Sequence, residues 1–485
     1  MNKNCRGFTR LLALALCFSL LLSAAACGQD PSKASSKEAQ ASSARDTLSD
    51  PEKPSKVTLD GSAEIAVPGP SVGIIDDPKG PVDAQVSPGT VKAGNLIEGI
   101  SPEPVEGKAA DDRFNGSQYG FAAELMRRSY KADGGNCLVS PLSVVLALAM
   151  TANGAAGETL SQMLDVLGSG MTADELNAYL YAYVRSLPSS DLARLAIANS
   201  IWLNQKDGFS VREEFLRKDA SWYQADVYKL PFNEAAVREV NGWVSKNTDK
   251  MIEGIIDKLN EEDRLLLINA ICFDAKWADP YPEYSVQDQP FTRQDGSKQT
   301  VHMMHSQEKE YFEGEDYTGF SKSYDGYSYK FVAILPDKDT TLDEFMAGLD
   351  GEKLSEIMDS ATHTKVNAGL PKFSYDYSAG LKERLQDMGI VNAFTDDPSR
   401  PDFADFSLIS DTDPLYISEV IHKTFIDVEE GGTRAAAVTA VEVAAAAAMP
   451  TEPPKQVILD RPFLYMIADS SNNLPIFIGT VNSVD

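Results

Sequence analysis

The sequence predicts an α+β fold, because helical and strand patterns occupy separate runs of the chain. Helical spacing and capping residues dominate residues 114–184. Strand-like alternation begins at Leu195, and residues 265–273 are almost wholly apolar, as expected of a strand buried on both faces. The chain has 485 residues, of which 43% are hydrophobic, enough for one large domain or for two to three ordinary ones.

The charge and the cysteines limit the classes of partner. Acidic residues outnumber basic ones by 72 to 44, which leaves a formal net charge of −28. Such a charge repels nucleic acid and anionic lipid, so we expect no nucleic-acid partner and no membrane contact apart from an N-terminal lipid. The five cysteines show no metal spacing and no dense disulfide framework. Cys137 and Cys272 lie in apolar runs, which favours buried thiols, although they would pair if the fold brought them together.

The first 26 residues form an export signal. Basic residues precede an apolar run at 11–22 that is too short to remain as a membrane span, and small residues follow it. A cysteine directly after them resembles the lipobox of bacterial lipoproteins, which would make Cys27 the lipidated first residue of the mature chain. Ala24 replaces the usual leucine, so ordinary cleavage among the alanines is the alternative. We therefore predict a membrane-anchored lipoprotein at the cell surface, or a secreted protein.

Residues 27–112 are predicted to form a disordered stalk. Residues 28–112 contain no aromatic residue and ten of the 26 prolines of the chain. A segment that cannot bury apolar surface cannot offset the entropy cost of ordering. The apolar pair Leu96 and Ile97 is too isolated to change this interpretation. We therefore place the folded domain at residues 113–485.

Helices are predicted first within this domain. Ser140 followed by Pro141 is an N-cap with proline at the first helical position, and Thr172 with Glu175 forms a capping box. The expected helices lie at 114–130, 141–152, 158–167 and 173–184, and a later helix ends at Gly389.

Strands follow, and one of them is unusually long. They are expected at 195–203, 265–273, 329–335, 415–430, 457–459, 463–468 and 474–481. In the strand at 415–430, His422 shares a face with Val420 and Thr424, and that face carries no fixed charge. We expect His422 to be buried with a hydrogen-bond partner, because an unbonded buried polar group costs roughly 1–3 kcal/mol.

The segment after this strand is open to two interpretations. Its alanines favour a solvated helix or a tether. However, the residues after the Gly431–Gly432 pair alternate as they would in a strand with one small apolar face inward. The inward set is Thr433, Ala435, Ala437, Thr439, Val441 and Val443, and the outward set is Arg434, Ala436, Val438, Ala440 and Glu442. The pattern alone leaves helix and latent strand equally open.

Catalytic motifs are missing from the sequence. It has no G-x-S-x-G elbow, phosphate-binding loop or dinucleotide fingerprint. His302 and His305 are spaced like a metal pair, but no third ligand lies nearby and the segment has strand character. We therefore expect no enzymatic activity, no cofactor and no metal.

Seven segments resemble the serpin family in order and spacing. They are NCLVSPLSVVLALAM at 136–150, GAAGETLSQMLDVLG at 154–168, LINAICFDAKWADP at 267–280, DGSKQTVHMM at 295–304, LPKFSYDY at 370–377, LYISEVIHKTFIDVEEGGTRAAAVTA at 415–440 and DRPFLYMI at 460–467. The resemblance extends from about residue 113 to the end. It implies the serpin fold, with three β-sheets, eight to nine helices and an exposed reactive-centre loop at residues 430–454.

The resemblance also implies roles for individual residues. The hinge on which the loop swings would comprise Glu430, Gly431, Gly432, Thr433, Arg434, Ala435, Ala436 and Ala437. Glu430 would meet Trp277 at the breach, where the central sheet first opens. Ser140, Ser143, Asn269 and His422 would form the shutter, a hydrogen-bonded cluster beneath the centre of that sheet.

The bond that a protease cleaves is implied less sharply. Counting forward from the hinge gives Ala446–Ala447, which we prefer, whereas counting back from Arg461 and Pro462 gives a bond near Thr451. Ala445, Ala448 and Met449 stay open. Small residues suit the shallow specificity pocket of elastase-like proteases, and subtilisin-like proteases are the next choice.

Three functions follow from these observations. The first is a monomeric suicide inhibitor that forms a covalent complex with a target serine protease, by loop cleavage, acyl-enzyme trapping and insertion of the loop into the central sheet. The small residues that would enter the sheet favour it. The second is a serpin that serves as a surface binding or structural protein without inhibition. The third is a solute-binding lipoprotein, suggested only by the leader and the stalk.

Overall fold

A computed structural model describes residues 94–130, 135–190, 193–206, 208–223, 225–412, 414–434 and 453–484. Nine α-helices occur in these ranges. They are α1 (Asp112–Ser129), α2 (Pro141–Ala152), α3 (Gly157–Gly168), α4 (Ala173–Ser186), α5 (Glu213–Trp222), α6 (Glu234–Asn247), α7 (Leu342–Ala347), α8 (Gly351–Asp359) and α9 (Lys382–Met388).

The described residues also form sixteen strands. They are β1 (Gly94–Asn95), β2 (Cys137–Val139), β3 (Ala193–Asn204), β4 (Asp226–Leu230), β5 (Leu265–Lys276), β6 (Val286–Thr292), β7 (Lys298–Glu313), β8 (Tyr317–Ser323), β9 (Tyr329–Pro336), β10 (Thr362–Pro371), β11 (Phe373–Gly380), β12 (Ile417–Glu429), β13 (Gly432–Thr433), β14 (Lys455–Ile458), β15 (Phe463–Asp469) and β16 (Pro475–Val481).

Seven of these strands form the main sheet, in the order β1-β4-β3-β5-β13-β12-β11. One face of this sheet joins the large hydrophobic core, which includes Phe273 and Val428. The other face is covered near β3 and β5 by α6, where Val240 and Val244 pack with Trp202, Leu266 and Ile268 in a second cluster. The central strands are therefore buried on both faces, which explains why β5 is apolar along almost its whole length.

The other nine strands form the second sheet. Its order is β14-β10-β7-β8-β9-β15-β16-β2, and β6 pairs with β7 beside this path. One edge of β7 pairs first with β6, over residues 298–304, and then with β8, over residues 310–313, while its other edge pairs with β10 from Met303 to Tyr311. The long strand β7 thus joins the two smaller sheets of the three expected into one continuous hydrogen-bonded ladder.

The capping signals in the sequence predicted the helix ends well. The Ser140 side chain accepts a hydrogen bond from the Ser143 backbone N–H at the start of α2, and Thr172 and Glu175 form the predicted capping box of α4. Gly389 ends α9 in a left-handed conformation, with φ of 118°. Local hydrogen bonding and backbone freedom determine these ends, so they can be read from a few adjacent residues.

The prediction that the disordered stalk extends to residue 112 is wrong for residues 94–112, the last of which already begins α1. Strand β1 adds to the edge of the main sheet, where the Leu96 N–H donates to the Val227 carbonyl at 2.7 Å. Leu96, Ile97 and Ile100 pack against the large core. The three apolar side chains show no helical or strand periodicity in the sequence. They are buried only because β1 pairs with the edge of β4, which is distant in the chain, so the sequence did not reveal this segment as ordered.

Two other properties of the described residues bear on earlier expectations. Cys137 in β2 and Cys272 in β5 are both buried thiols. None of the helices in the described part of the chain combines the length and the apolarity that crossing a bilayer requires.

Candidate functional site

The predicted hinge enters the main sheet as a two-residue wedge, Gly432 and Thr433, between β5 and β12. After β12 the chain reverses at Glu430 and Gly431, and β13 runs back antiparallel to β12. On its other side β13 is antiparallel to β5, with Gly432 opposite Lys276 and Thr433 opposite Ala275. Two hinge residues therefore already occupy a central position at one end of the sheet.

Thr433 is held on the core side of the wedge. Its side chain is only 1% exposed, and its Oγ1 lies 2.6 Å from the Tyr324 hydroxyl. Tyr324 stacks on Trp277, with ring centroids 4.5 Å apart. Burial raises the pKa of Tyr324 well above its usual value, so the phenol keeps its proton for hydrogen bonding. The inward direction predicted for Thr433 is confirmed.

The turn of the predicted hinge is fixed by hydrogen bonds to the backbone carbonyls of residues 429, 430 and 431. The Trp277 indole donates to the Glu429 carbonyl at 2.9 Å, and the Trp277 backbone N–H donates to the Gly431 carbonyl at 3.0 Å. The Glu430 carbonyl accepts from the Tyr281 N–H at 3.0 Å. Trp277 therefore contacts the two residues that flank Glu430.

The Glu430 side chain points to another partner. Its carboxylate pairs with Lys372 at 2.7 Å, and both side chains are about one third exposed. Burial alone would raise the pKa of Glu430, but the hydrogen bond and the charge of Lys372 outweigh it and leave the pKa lowered. The Glu430 side chain therefore does not contact Trp277 as expected. The indole N–H donates to a backbone carbonyl, and the carboxylate pairs with a lysine because a cation is its strongest partner.

Arg434 marks the point at which the extended backbone of the wedge ends. Its φ of 55° is left-handed, a conformation that costs a non-glycine residue about 1–2 kcal/mol. Its N–H donates to the Asp427 carbonyl at 2.7 Å. The side chain is half-buried near Asp274, whose pKa is raised by burial against the opposing effect of Arg434. Full extension of the chain here would release the backbone strain.

Farther from the wedge the main sheet is closed. Strands β5 and β12 pair directly in parallel, from Leu265 and Ile417 to Ala270 and Lys423. This direct register ends before the wedge begins, so residues 271–274 and 424–427 lie between the closed part and β13. A strand that followed Thr433 into the sheet would pass this interval first and then separate the closed pairs.

The predicted shutter residues meet at the last part of the closed region. His422 is opposite Asn269, and Asn269 is opposite Asn199 on β3. The His422 Nε2 accepts from the Ser140 N–H at 3.1 Å, and its Nδ1 lies 2.5 Å from the Asn269 Oδ1. The Asn269 amide donates in turn to the Ser143 hydroxyl and to the Asn199 Oδ1. All four predicted residues are thus brought into one network.

Burial makes the His422 imidazole neutral. It is fully buried, and burial lowers the pKa of His422 from 6.5 to about 3. A neutral ring has one donor and one acceptor nitrogen, which matches its contacts: Nε2 accepts from Ser140, so Nδ1 donates to Asn269. The buried histidine therefore has two partners, Ser140 at the N-cap of α2 and Asn269 in β5.

Sequence reasoning missed Asn199, Tyr324 and Lys372. Asn199 follows directly from the pairing of β3 with β5, which no local pattern reveals. Tyr324 and Lys372 come from segments far from the hinge in sequence and meet it only through the fold.

Several predicted site residues lie outside the described residues. These are Ala435, Ala436 and Ala437 of the hinge, the candidate cleavage residues Ala445, Ala446, Ala447, Ala448, Met449 and Thr451, and the lipidation candidate Cys27. Within the described ranges, no group of three or more His, Cys, Asp or Glu side chains is placed to hold a metal ion. His302 instead approaches the Asp288 carboxylate at 2.8 Å on the surface.

Comparisons with known proteins agree on one family. The profile of the family described as Serpin (serine protease inhibitor) matches residues 117–484. An uncharacterized serpin-like protein of Thermococcus kodakarensis is 33% identical over 351 residues, which cover 71% of this chain and 80% of the relative. The leukocyte elastase inhibitor of Xenopus laevis is 31% identical over 361 residues, which cover 72% of this chain and 93% of that protein.

A solved structure shows the same likeness in three dimensions. The thermophilic serpin tengpin in its native state superposes with a TM-score of 0.76 and 45% sequence identity. The superposition covers 81% of this chain and all of that one. The domain from α1 to β16 is therefore similar to that structure in both sequence and fold.

Proposed function

The chain belongs to the serpin family, whose members are generally protease inhibitors, and we propose that it is a suicide inhibitor of elastase-like or subtilisin-like serine proteases. The observation that carries this proposal is the wedge. Gly432 and Thr433 already lie between β5 and β12, in the position that an inserting loop must enter first. A hinge built of small residues at this position supports inhibition over a purely structural role.

The register of the wedge defines the path of insertion. If it continues residue by residue, Thr439 comes opposite both Asn269 and His422, and Val443 comes opposite Leu265 and Ser418. Thr439 would then replace the direct contact between His422 and Asn269. Val443 would reach the first residue of β5, so the new strand would span the full length of that neighbour.

Insertion serves to trap the protease. The protease serine attacks the Ala446 carbonyl carbon, the bond to Ala447 breaks, and the leaving amine takes a proton from the histidine of the protease. An ester between the protease and Ala446 results. From Thr433 to Ala446 the extended chain measures about 46 Å at roughly 3.3 Å per residue. Insertion before water attacks the ester would carry the protease to the opposite end of the sheet.

The energy for this movement would come from the strand pairing that insertion adds. Residues 434–443 would gain neighbours on both sides, on the order of ten new ladder bonds at about 1 kcal/mol each. Burial of the threonine and valine side chains would add to this. The uninserted form is therefore held by a barrier, which the closed pairs of β5 and β12 and the shutter network supply.

Complete insertion would require a change on the face of the main sheet that α6 covers. Arg434 lies half-buried near Asp274, as its outward parity predicts. Farther along, the outward neighbours Ile268 and Leu266 are buried under α6. The outward residues Ala440 and Glu442 would come opposite them, so α6 must move or repack for a complete insertion.

The preferred cleavage bond agrees with this path. Ala446 lies only three residues beyond Val443, where the end of β5 is reached, so a protease on Ala446 would be drawn against the end of the sheet. Cleavage near Thr451 would leave a longer uninserted segment between Val443 and the attached protease. The alanines around the bond support proteases with a shallow pocket for small side chains.

The cellular placement is part of the proposal. We infer export by the leader and anchoring through a lipid on Cys27. Incorporation of a labelled fatty acid into the wild-type chain, and its loss in Cys27→Ser, would support the anchor. A soluble, unlabelled wild-type chain that begins among the alanines would favour secretion.

The decisive experiment uses a panel of purified proteases. The full-length protein is mixed with pancreatic elastase, subtilisin, trypsin and chymotrypsin, and complexes that survive SDS are separated. Mass spectrometry of the released C-terminal peptide identifies the bond. We expect a stable complex with elastase or subtilisin and a peptide that begins at Ala447.

Each other outcome has a distinct meaning. Cleavage at the same bond without a complex would indicate a serpin fold used for binding or structure. A complex only with trypsin would contradict the assignment of specificity. Resistance of the alanine segment to every protease, together with saturable binding of a small solute, would favour the solute-binding function.

A further inference from the structure

A buried lysine contacts two of the residues that hold the predicted hinge. The side chain of Lys322 in β8 is 3% exposed, and its ammonium lies 2.9 Å from the carboxylate of Glu308 in β7. The same ammonium lies over two aromatic rings, 4.3 Å from the ring centroid of Tyr281 and 5.7 Å from that of Trp277. We call these four residues the lysine cage.

The charge in the lysine cage has a cost that its partners must offset. A buried ammonium loses its water, and only a well-placed carboxylate and further polar contacts compensate for that loss. Glu308 supplies the carboxylate, and the Ser306 hydroxyl donates to the same carboxylate oxygen at 2.6 Å. Uncharged side chains of similar size often replace such a pair without loss of stability. The pair is therefore better explained by the groups that it orders locally than by the stability of the whole domain.

The groups that it orders are the two rings, and both belong to residues that hold the turn of the hinge. Trp277 donates to the carbonyls of residues 429 and 431, and the Tyr281 N–H donates to the Glu430 carbonyl. Burial raises the pKa of Tyr281 well above its usual value, so its ring stays a neutral phenol and attracts the cation through its π face. A desolvated cation shared by both rings fixes one ring relative to the other.

A second lysine pair in the same sheet provides a comparison. The Lys330 ammonium of β9 lies 3.2 Å from the carboxylate of Glu310 in β7, and the Ser321 hydroxyl donates to the same carboxylate oxygen at 2.5 Å. Its aromatic partner is Phe312, with the ammonium 6.0 Å from the ring centroid. Phe312 pairs with Gly319 inside the second sheet. The two pairs thus share their chemistry and differ in whether their aromatic partners hold the hinge.

We propose that Lys322 is a positioning residue of the hinge. Through Trp277 and Tyr281 it keeps the turn at residues 429–431 docked while the rest of the loop moves. An inserting strand continues from this same turn, because the wedge already pairs with β5 and β12. A loosened turn delays insertion and gives water more time to attack the ester. This consequence for trapping rests on the inhibitory function proposed above, whereas the effect on the hinge itself does not require a protease.

The test compares two double variants of the full chain with the wild type. The cage variant is Lys322→Met with Glu308→Gln, which removes the ammonium and leaves no unpaired charge. The matched control is Lys330→Met with Glu310→Gln. Hydrogen–deuterium exchange is followed by mass spectrometry on the peptide that contains residues 277–281. We expect its hinge-bonded amides to exchange about tenfold or more faster in the cage variant and at the wild-type rate in the control, because only the cage variant loses the cation behind the hinge.

Two further measurements separate positioning from a general structural role. The unfolding temperature should equal that of the wild type or exceed it in both variants, because uncharged side chains replace each pair together. With a protease that the wild type traps, the cage variant should give about a tenfold lower ratio of SDS-stable complex to cleaved chain. Its loop should be attacked at the wild-type rate, since the loop sequence is unchanged.

The proposal is overturned if the two double variants exchange alike at residues 277–281. A fall in the unfolding temperature of the cage variant alone would also overturn it, because it would show a structural role. So would a wild-type ratio of complex to cleaved chain in the cage variant. Faster exchange in the cage variant together with a wild type that traps no protease would support the positioning role of Lys322 and contradict the inhibitory function.

Discussion

At the scale of single residues, the proposed insertion would have to continue from Thr433. Thr433 has a paired strand on each side, β5 and β12, and its hydroxyl is hydrogen-bonded to the Tyr324 hydroxyl. We predict that Thr433→Arg turns the inhibitor into a substrate. An unpaired charge in this position costs several kcal/mol, so the wedge should leave the sheet and the yield of covalent complex should fall about tenfold or more.

The measurement is the ratio of SDS-stable complex to cleaved chain for a protease that the wild type traps. Thr433→Val is the matched control, because it keeps the shape and β-branching but removes the hydroxyl. It should still form the complex in similar yield. Wild-type stoichiometry from Thr433→Arg would show that the wedge is not the start of insertion.

A second prediction at the residue scale concerns His422. Burial lowers the pKa of His422 from 6.5 to about 3. The unfolded chain therefore takes up a proton before the folded chain does. The stability that His422 contributes is complete above pH 6.5 and falls as the pH decreases from 6.5 towards 3, by about 1.4 kcal/mol per pH unit.

We expect unfolding of the native form in urea to become faster as the pH is lowered from 7 to 5. In His422→Gln the amide can accept from Ser140 and donate to Asn269 without titrating, so this part of the pH dependence should be lost. Tryptophan fluorescence gives the rate for both proteins. Parallel pH profiles for the two would contradict a role for the imidazole.

At the scale of elements, the segment before α1 stabilises the edge of the main sheet. The Asn95 side chain donates to the Asp226 carboxylate at 2.6 Å, and the Glu103 N–H donates to the Ser221 hydroxyl at 2.8 Å. We predict that a chain starting at residue 112 is less stable than one starting at residue 94. The loss should be about 2–4 kcal/mol, because Leu96, Ile97 and Ile100 lose partly buried contacts.

Thermal and urea unfolding of the two chains measure this difference. Leu96→Ala with Ile97→Ala in the longer chain is the finer variant, because it keeps the backbone pairing of β1 and removes only the side-chain packing. It should lie between the two truncations in stability. Equal unfolding midpoints for the chains starting at 94 and at 112 would contradict the structural role of this segment.

Elements differ in how far their sequences reveal them. The caps of α2 and α4 and the alternating burial of β12 depend on neighbouring residues, and they were predictable. Strands β1 and β13 have two residues each, and each forms only because an edge or a gap in the main sheet accepts it. The resemblance to serpins supplied the shutter residues, whereas Asn199 and the ion pair of Glu430 with Lys372 required the pairing of distant strands.

At the scale of the whole molecule, the described structure is a state with a sheet that is open at one end. The wedge, the interval beyond it and the closed pairs of β5 and β12 follow one another along a single path. Extending the wedge along this path would replace one direct strand pair by two. Under the proposed mechanism such a fold would be held in place by kinetics, and cutting the loop would release its N-terminal part from its attachment to β14.

We therefore predict that a nick among the alanines stabilises the molecule. On the order of ten added ladder bonds contribute about 10 kcal/mol, which for a domain of this size corresponds to a rise in the unfolding temperature of about 12 °C. Calorimetry before and after limited cleavage by elastase measures the shift, and Thr433→Arg, nicked at the same bond, is the control that should rise much less. An unchanged unfolding temperature in the nicked wild type would show that the loop stays outside the sheet, and would exclude trapping by insertion.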